Sequence, residues 1–399
     1  MSTAVMTSNV GRSALADKAL RAAAGFWLAV TVVGQFIFAF AVASFYGLTA
    51  FRGDYYVWHR FISRGLIAGD TAGNSAIAAH VASAAIIMFA GSLQLIPQIR
   101  NRFPVFHRWN GRTYMSFAVL GGAAGLYLTW IRGTVGDLSQ HIGSSLGALL
   151  IFLFAALALR SALARDFIAH RRWALRLFLV VSGAFFIRLI LFVSGVIFKG
   201  PFGFNPQTFT GPFLTFNTFA QYLVPLAVLE IYFRAQGRPS ARNRFATAGL
   251  LFVMTLVMIG GIFAVTLTTW MPQVKAAYDP RKSIAEALSA TIASSGIDAA
   301  AVQYHNLKAA QPTIYDFDER ELNTLGYDFI RAKKYKEAIR VLQLNVEAYP
   351  KSSNVYDSLG EAYMDDGNKP LAILNYQKSL ELNPKNHGAV VALQKLNEP

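Results

Sequence analysis

The chain of 399 residues has no cysteine. That excludes disulfides, thiolate metal sites, Cys-ligated iron–sulfur clusters and covalent c-type haem attachment. Charge is also scarce. Asp, Glu, Lys and Arg make up 15% of the residues, against roughly 25% in ordinary soluble proteins. The scarcity is greatest for acids: residues 1–271 hold 6 Asp/Glu beside 22 Lys/Arg, whereas residues 272–399 hold 16 and 15. All the excess base therefore sits in the apolar part of the chain, where it would flank membrane spans. A basic patch interleaved with stacking aromatics is missing, so no nucleic-acid partner is expected. Soluble-enzyme signatures are missing too. There is no P-loop, dinucleotide fingerprint or HExxH helix, nor the S-x-x-K plus KTG set of beta-lactamase-type hydrolases. Whether the protein is an enzyme is therefore left open.

What the sequence does contain is apolar length. Seven stretches, near residues 22–47, 75–97, 114–131, 142–159, 173–198, 211–232 and 245–271, approach or exceed what a core of about 30 Å requires. The first is too long for a signal-peptide h-region and is expected to be a retained anchor. The six tryptophans fall near expected span ends or in loops, as an aromatic belt would. The segments on the N-terminal face carry sixteen Lys/Arg: Arg12, Lys18, Arg21, Arg100, Arg102, Arg108, Arg112, Arg160, Arg165, Arg171, Arg172, Arg176, Arg234, Arg238, Arg242 and Arg244. The opposite loops carry five: Arg52, Arg60, Arg64, Arg132 and Lys199. The positive-inside rule then expects a cytoplasmic N-terminus and an extracytoplasmic C-terminal domain in a bacterial cell membrane.

Beyond residue 271 the composition becomes that of a soluble helical protein. Leu325-Gly326 matches Leu359-Gly360, Ala338-Ile339 matches Ala372-Ile373, and Pro350-Lys351 matches Pro384-Lys385, each at an offset of 34. These two segments resemble tetratricopeptide repeats, whose period this is. Two repeats cannot bury a continuous core alone. Helices near 283–294 and 298–309, and a cap near 387–396, are expected to help. The expected organisation is all-α: a cytoplasmic segment (1–21), a seven-helix membrane domain (22–271), a linker and helical cap (272–316), and the repeats with a terminal helix (317–399). The resemblance implies a groove for a protein partner; membrane lipids are the other expected partner.

Four histidines lie near the ends of consecutive spans. His80 and His141 begin spans 2 and 4 at one face; His107 and His170 precede spans 3 and 5 at the other. Neutral imidazoles facing one another in a bundle can ligate haem iron without placing new charge in lipid. The placement is similar to that of transmembrane dihaem cytochrome b reductases, which would make haem b the cofactor and electron transfer the activity. The plainer reading is interfacial histidines bonded to phosphate or loop carbonyls. Zinc at a two-His site with an acidic partner is a further alternative. Arg188 lies inside span 5, where a charge is costly. It could meet a haem propionate, or Asn217 and Gln221 of span 6. Glu230 is expected to snorkel or to pair with Arg234, and Gln94 could bond across helices. The motifs "HRWNGR" (107–112) and "HRRWALR" (170–176) read as interfacial anchors or as an anion site.

Together with "HVASAAIIMFAGSLQLIPQIRNRFPVFHRWNGRTY" and "FFIRL", these motifs resemble the bacterial membrane family called domain of unknown function 2306, over about residues 75–200. The named histidines and arginines fall on that family's motif positions. The resemblance implies a membrane fold and no activity. Three functions compete: a haem-bearing electron carrier, a non-enzymatic scaffold presenting repeats, and a transporter or sensor built around Arg188.

Overall fold

The computed structural model describes residues 2–60, 62, 65–67, 69–199, 202–205, 209–237 and 240–397, without the side chains of 2–11, Arg60, His387 and Asn397. Of the flanking bases counted above, Arg64, Arg238 and the Arg60 side chain lie outside the described residues. The chain forms two compact units: residues 1–53 with 66–277, and residues 54–65 with 278–399. The sequence-based boundary at 271 assigns 54–65 to the membrane domain; in the structure this loop belongs to the repeat unit.

The described elements of the first unit are helices, apart from one antiparallel bridge between Asn205 and Thr210. Span 1 is α1 (Ser2–Val42), continued by a π-helical turn and α2 (Leu48–Arg52). Span 2 is α3 (Thr71–Leu95); after short α4 (Pro97–Arg102) comes span 3, α5 (Pro104–Tyr127). Span 4 is α6 (Leu138–Leu163). Span 5 comprises α7 (Phe167–Val181) and α8 (Gly183–Phe198), and span 6 is α9 (Pro212–Gly237). Span 7 is α10 (Ala241–Val265), which runs through a π-helical turn into α11 (Met271–Tyr278).

The few acids of this half have local tasks. Asp70, Asp137 and Asp166 cap the N-termini of α3, α6 and α7 by accepting backbone N–H bonds, which satisfies donors a helix start leaves open. Asp70 also receives Arg132, at 2.9 Å. Asp17 pairs with Arg244 at 3.0 Å. Glu230 pairs with Arg176 of α7 at 2.5 Å, not with Arg234 as the sequence suggested. The helix turn between 230 and 234 was the nearer choice in sequence, but α7 packs directly on α9.

Six helices are long and apolar enough to cross a membrane, and the pair α7–α8, bent by 50°, makes a seventh if it is one span. The expectation of one continuous helix over 173–198 is corrected here: the helix breaks at Ser182. Residues 54–65 and 278–399 form one unit; an even number of crossings between them would make α7–α8 a span beside the candidates α3, α5, α6, α9 and α10.

The expectation of an aromatic belt needs correction. Trp270 is 1% exposed, 5.2 Å from the Phe38 ring, and Trp58 is 4% exposed in the repeat unit. Trp109 and Trp130, by contrast, are exposed as an interfacial anchor should be.

In the second unit, α14 (Glu319–Arg331) and α15 (Tyr335–Ala348) are followed by α16 (Ser353–Asp365) and α17 (Lys369–Leu382). Each helix of the second pair starts 34 residues after its counterpart. The packing repeats as well. A Cβ on Gly326 would lie 2.6 Å from Leu342, and one on Gly360 would lie 3.1 Å from Tyr376, its equivalent contact. Ala338 and Ala372 are fully buried. A third pair precedes them: α12 (Ile284–Ser295) stacks on α14, and α13 (Ile297–Ala310) on α15. Two short parallel strands, β1 (Lys282–Ser283) and β2 (Tyr315–Asp316), brace this pair. The terminal helix α18 (His387–Asn397) packs on α17. Both ends of the two-repeat core are thus covered.

Candidate functional site

Polar groups in the membrane unit gather in three places. The most buried is a chain of side chains joining spans 1, 2 and 5. Ser92 of α3 donates to Gln35 Oε1 at 2.9 Å, and Gln35 Nε2 donates to Ser182 Oγ at 2.7 Å. Ser182 Oγ donates in turn to the Phe178 carbonyl at 2.7 Å. All three side chains are at most 2% exposed. Ser182 sits at the break between α7 and α8, where a freed backbone group needs such a partner. Sequence reasoning passed over this network, although Gln35 alone in an apolar run was a signal.

The second place holds His80 and Arg188. His80 Nδ1 lies 3.0 Å from the carbonyl of Gly121 on span 3. A carbonyl only accepts, so Nδ1 carries the proton and Nε2 keeps its lone pair. Gly121 and Gly125 make room for this close approach: a Cβ at 121 would meet Ser83 at 3.0 Å, and one at 125 would meet the imidazole at 3.4 Å. Arg188 Nη1 donates to Ala184 O of its own helix at 2.6 Å, and the guanidinium stands 5.1 Å from the Phe38 ring centre. Among the described residues it has no carboxylate partner. Asn217 and Gln221 donate their amide N–H groups to the Ile187 and Thr218 carbonyls, and Arg188 donates to Ala184 O instead of to either amide oxygen.

The third place is the end of the unit that carries both basic motifs. Arg112 lies over Trp109 and Arg176 over Trp173, both at 4.7 Å and both three residues apart on one helix. These cation–π pairs are the anchoring form of the motif. Gln94 Nε2 donates to the His107 carbonyl at 2.8 Å, the bond between helices expected of it. His170 Nδ1 lies 2.9 Å from the Ala158 carbonyl, while His107 Nδ1 is buried with no hydrogen-bond partner.

The four histidines differ in surroundings. His141 makes an edge contact with Trp130 at 5.9 Å, and its Nε2 is 3.5 Å from Thr134 Oγ1 in the connection before α6. Span 3 packs against both span 2 and span 4, the two helices that carry His80 and His141. Among the described residues, no group of three or more His, Cys, Asp or Glu could hold a metal ion.

With this geometry in place, the comparison with known proteins is specific for the middle of the chain. Residues 77–224 match the family model described as "Predicted membrane protein (DUF2306)". The DUF2306 segment runs from α3 into α9 and so contains His80, His107, His141, His170 and Arg188. Two curated relatives match a short part of the chain. Superkiller complex protein 3 from Homo sapiens is 36% identical over 61 residues, and the one from Mus musculus 37% over 59. Each match covers 15% of this chain and 4% of the relative, so the chain spans only a small part of those proteins. A solved structure, the tetratricopeptide domain of P58(IPK), aligns over 82% of this chain and 93% of its own at 14% identity. Its TM-score of 0.21 is too low to carry an argument. The repeat assignment rests on the 34-residue register of α14–α17 and its matching contacts.

Proposed function

We propose that the protein is a membrane-anchored scaffold: the helix bundle fixes it in the bilayer, and the repeat unit binds a segment of a partner protein on the extracytoplasmic side. The observation that carries this reading is the stack of three helix pairs closed by α18. Stacked repeats build an extended surface whose stability does not depend on a ligand, and such surfaces suit peptide binding. The sixteen-to-five distribution of flanking bases supports a cytoplasmic N-terminus in a bacterial cell membrane. The test is crosslinking in native membranes, with a photoreactive residue at exposed Asn354 on α16 and a control at exposed Ile168 on α7. A partner captured from Asn354 alone is the expected result. Identical products from both sites would count against the scaffold.

A second reading places haem b in the DUF2306 segment, with His80, His141, His107 and His170 as axial candidates and Arg188 beside a propionate. What favours it is the bonding of His80 and His170. Each gives its Nδ1 proton to a backbone carbonyl, which orients the ring and presents Nε2 to a metal. The Arg188 guanidinium, which has no carboxylate partner among the described residues, suits a carboxylate in a site of low polarity. Bound haem would supply reversible one-electron chemistry, while the protein sets ring orientation and excludes water. A reducible Soret band in purified protein, lost in His80→Ala, is the expected result; a colourless protein from haem-replete cells would end this reading.

A further inference from the structure

The segment between spans 1 and 2 is short and aromatic: Asp-Tyr-Tyr-Val-Trp-His-Arg over residues 54–60. Gly53, in the left-handed region at φ 73°, ends α2 and turns the chain out of the span. The segment then forms a 3-10 turn over Tyr56–Arg60 and packs within the repeat unit. Val57 and Trp58 are 5% and 4% exposed. Tyr56 and His59 stack with ring centres 5.0 Å apart and planes 15° from parallel. His59 Nδ1 is 3.1 Å from Asp328 on α14.

The surface that receives it is acidic. Around Tyr56 stand Asp328 and Glu321 of α14 and Glu286 of α12, and these carboxylates, after burial itself, push the Tyr56 phenol well above its ordinary value. Arg331 also pairs with Asp328. The repeat core beneath is built from its own helices: Ile284, Leu288, Leu322, Leu325, Val341 and Leu344 are all at most 2% exposed. Tyr56 packs at the margin of that core, not among its buried members.

We infer that the α12–α14 face of the repeat unit is a docking surface for a short aromatic peptide carrying a histidine, and that residues 54–60 are its resident internal ligand. This rests on reading the repeat unit as a protein-binding module. An external segment of the same chemistry must compete with a ligand tethered on both sides, whose effective concentration is of the order of millimolar. The tether therefore sets a threshold for partner binding.

The experiment uses the full chain in detergent and a fluorescent peptide of residues 54–60. Tyr56→Ala/His59→Ala vacates the surface and should bind the peptide at least about tenfold more tightly than the wild type. Adding Asp328→Asn to that variant should weaken binding by about tenfold, through loss of the carboxylate that meets the histidine. Equal binding by wild type and variant, or none by a variant that keeps its helical circular dichroism and melting transition, overturns the inference. Hydrogen exchange on the wild type gives a second test, should the variant fail to fold. Amides of residues 56–60 should exchange through an opening that leaves α14 and α16 protected; exchange of the segment together with α14 would make it core and overturn the inference. Peptide binding by the vacated variant supports the internal ligand even if no external partner is ever captured, so this inference and the scaffold reading fail separately.

Discussion

Gln35 on span 1 donates a 2.7 Å hydrogen bond to Ser182, the residue at which span 5 bends. With Ser92 donating to the same amide, one side chain ties three spans around a break in the backbone. In lipid such bonds average only about 0.6 kcal/mol, but removing the amide leaves the Ser92 hydroxyl buried without its acceptor. Gln35→Leu should therefore destabilise the bundle by about 1–2 kcal/mol. Ser92→Ala, which removes the stranded donor, should cost less, and the double variant should cost less than the sum. Thermal unfolding in detergent checks the order; strict additivity would mean the network is not coupled.

The two repeats should respond unequally to the same change. Gly326→Ala puts a Cβ 2.6 Å from Leu342, while Gly360→Ala puts one 3.1 Å from the Tyr376 ring. Alanine gains about 0.5–1 kcal/mol of helix preference in both places. Overpacking of about 1–3 kcal/mol should outweigh that gain at 326 and roughly cancel it at 360. Truncating the neighbour, as Gly326→Ala/Leu342→Val, should recover part of the loss. Denaturant unfolding of the repeat unit measures this, and equal effects at the two glycines would argue against the matched packing.

Acidity should stabilise the repeat unit within a limited window. Burial raises the pKa of Asp357 and Glu361 above the ordinary carboxylate values, partly opposed by hydrogen bonds from Asn386 and Tyr327 respectively. An acid whose folded pKa is raised is held in its neutral form, so its contribution is full below the unfolded pKa. It is lost as pH rises through the folded pKa. The melting temperature of the repeat unit should therefore fall as pH rises from the ordinary carboxylate range towards neutrality. Glu361→Gln, which can still accept from Tyr327, should flatten that fall. A wild-type melting temperature that climbs with pH across this window would contradict the burial argument.

Sidedness can be read directly because the chain has no cysteine. Single cysteines at exposed Lys351 on the repeat unit and exposed Arg171 on α7 should differ in intact cells. A membrane-impermeant maleimide should label Lys351→Cys at once and Arg171→Cys only after lysis. The reverse pattern would invert the orientation, and labelling of both before lysis would break the even-crossing argument.

The sequence by itself determined the elements that depend on local or periodic chemistry. Apolar runs longer than the bilayer core had to be spans, because a helix alone satisfies its backbone in lipid. Offset-34 pairs such as Gly326 and Gly360 had to be repeats, because small residues at fixed phase let helix pairs approach. Aspartates at 70, 137 and 166 were legible in principle as caps, since capping acts within three residues. Tertiary structure alone decided which distant groups meet. Neither the choice of Arg176 over Arg234 for Glu230 nor the seat of His59 on Asp328 has any trace in periodicity. The bend at Ser182 was equally hidden, because hydropathy counts composition and Ser182-Gly183 sits in a run apolar enough to cross. The cause of such contacts is packing: neighbours far apart in sequence are chosen by how helices stack, and one short loop joins the second unit only when the chain has folded.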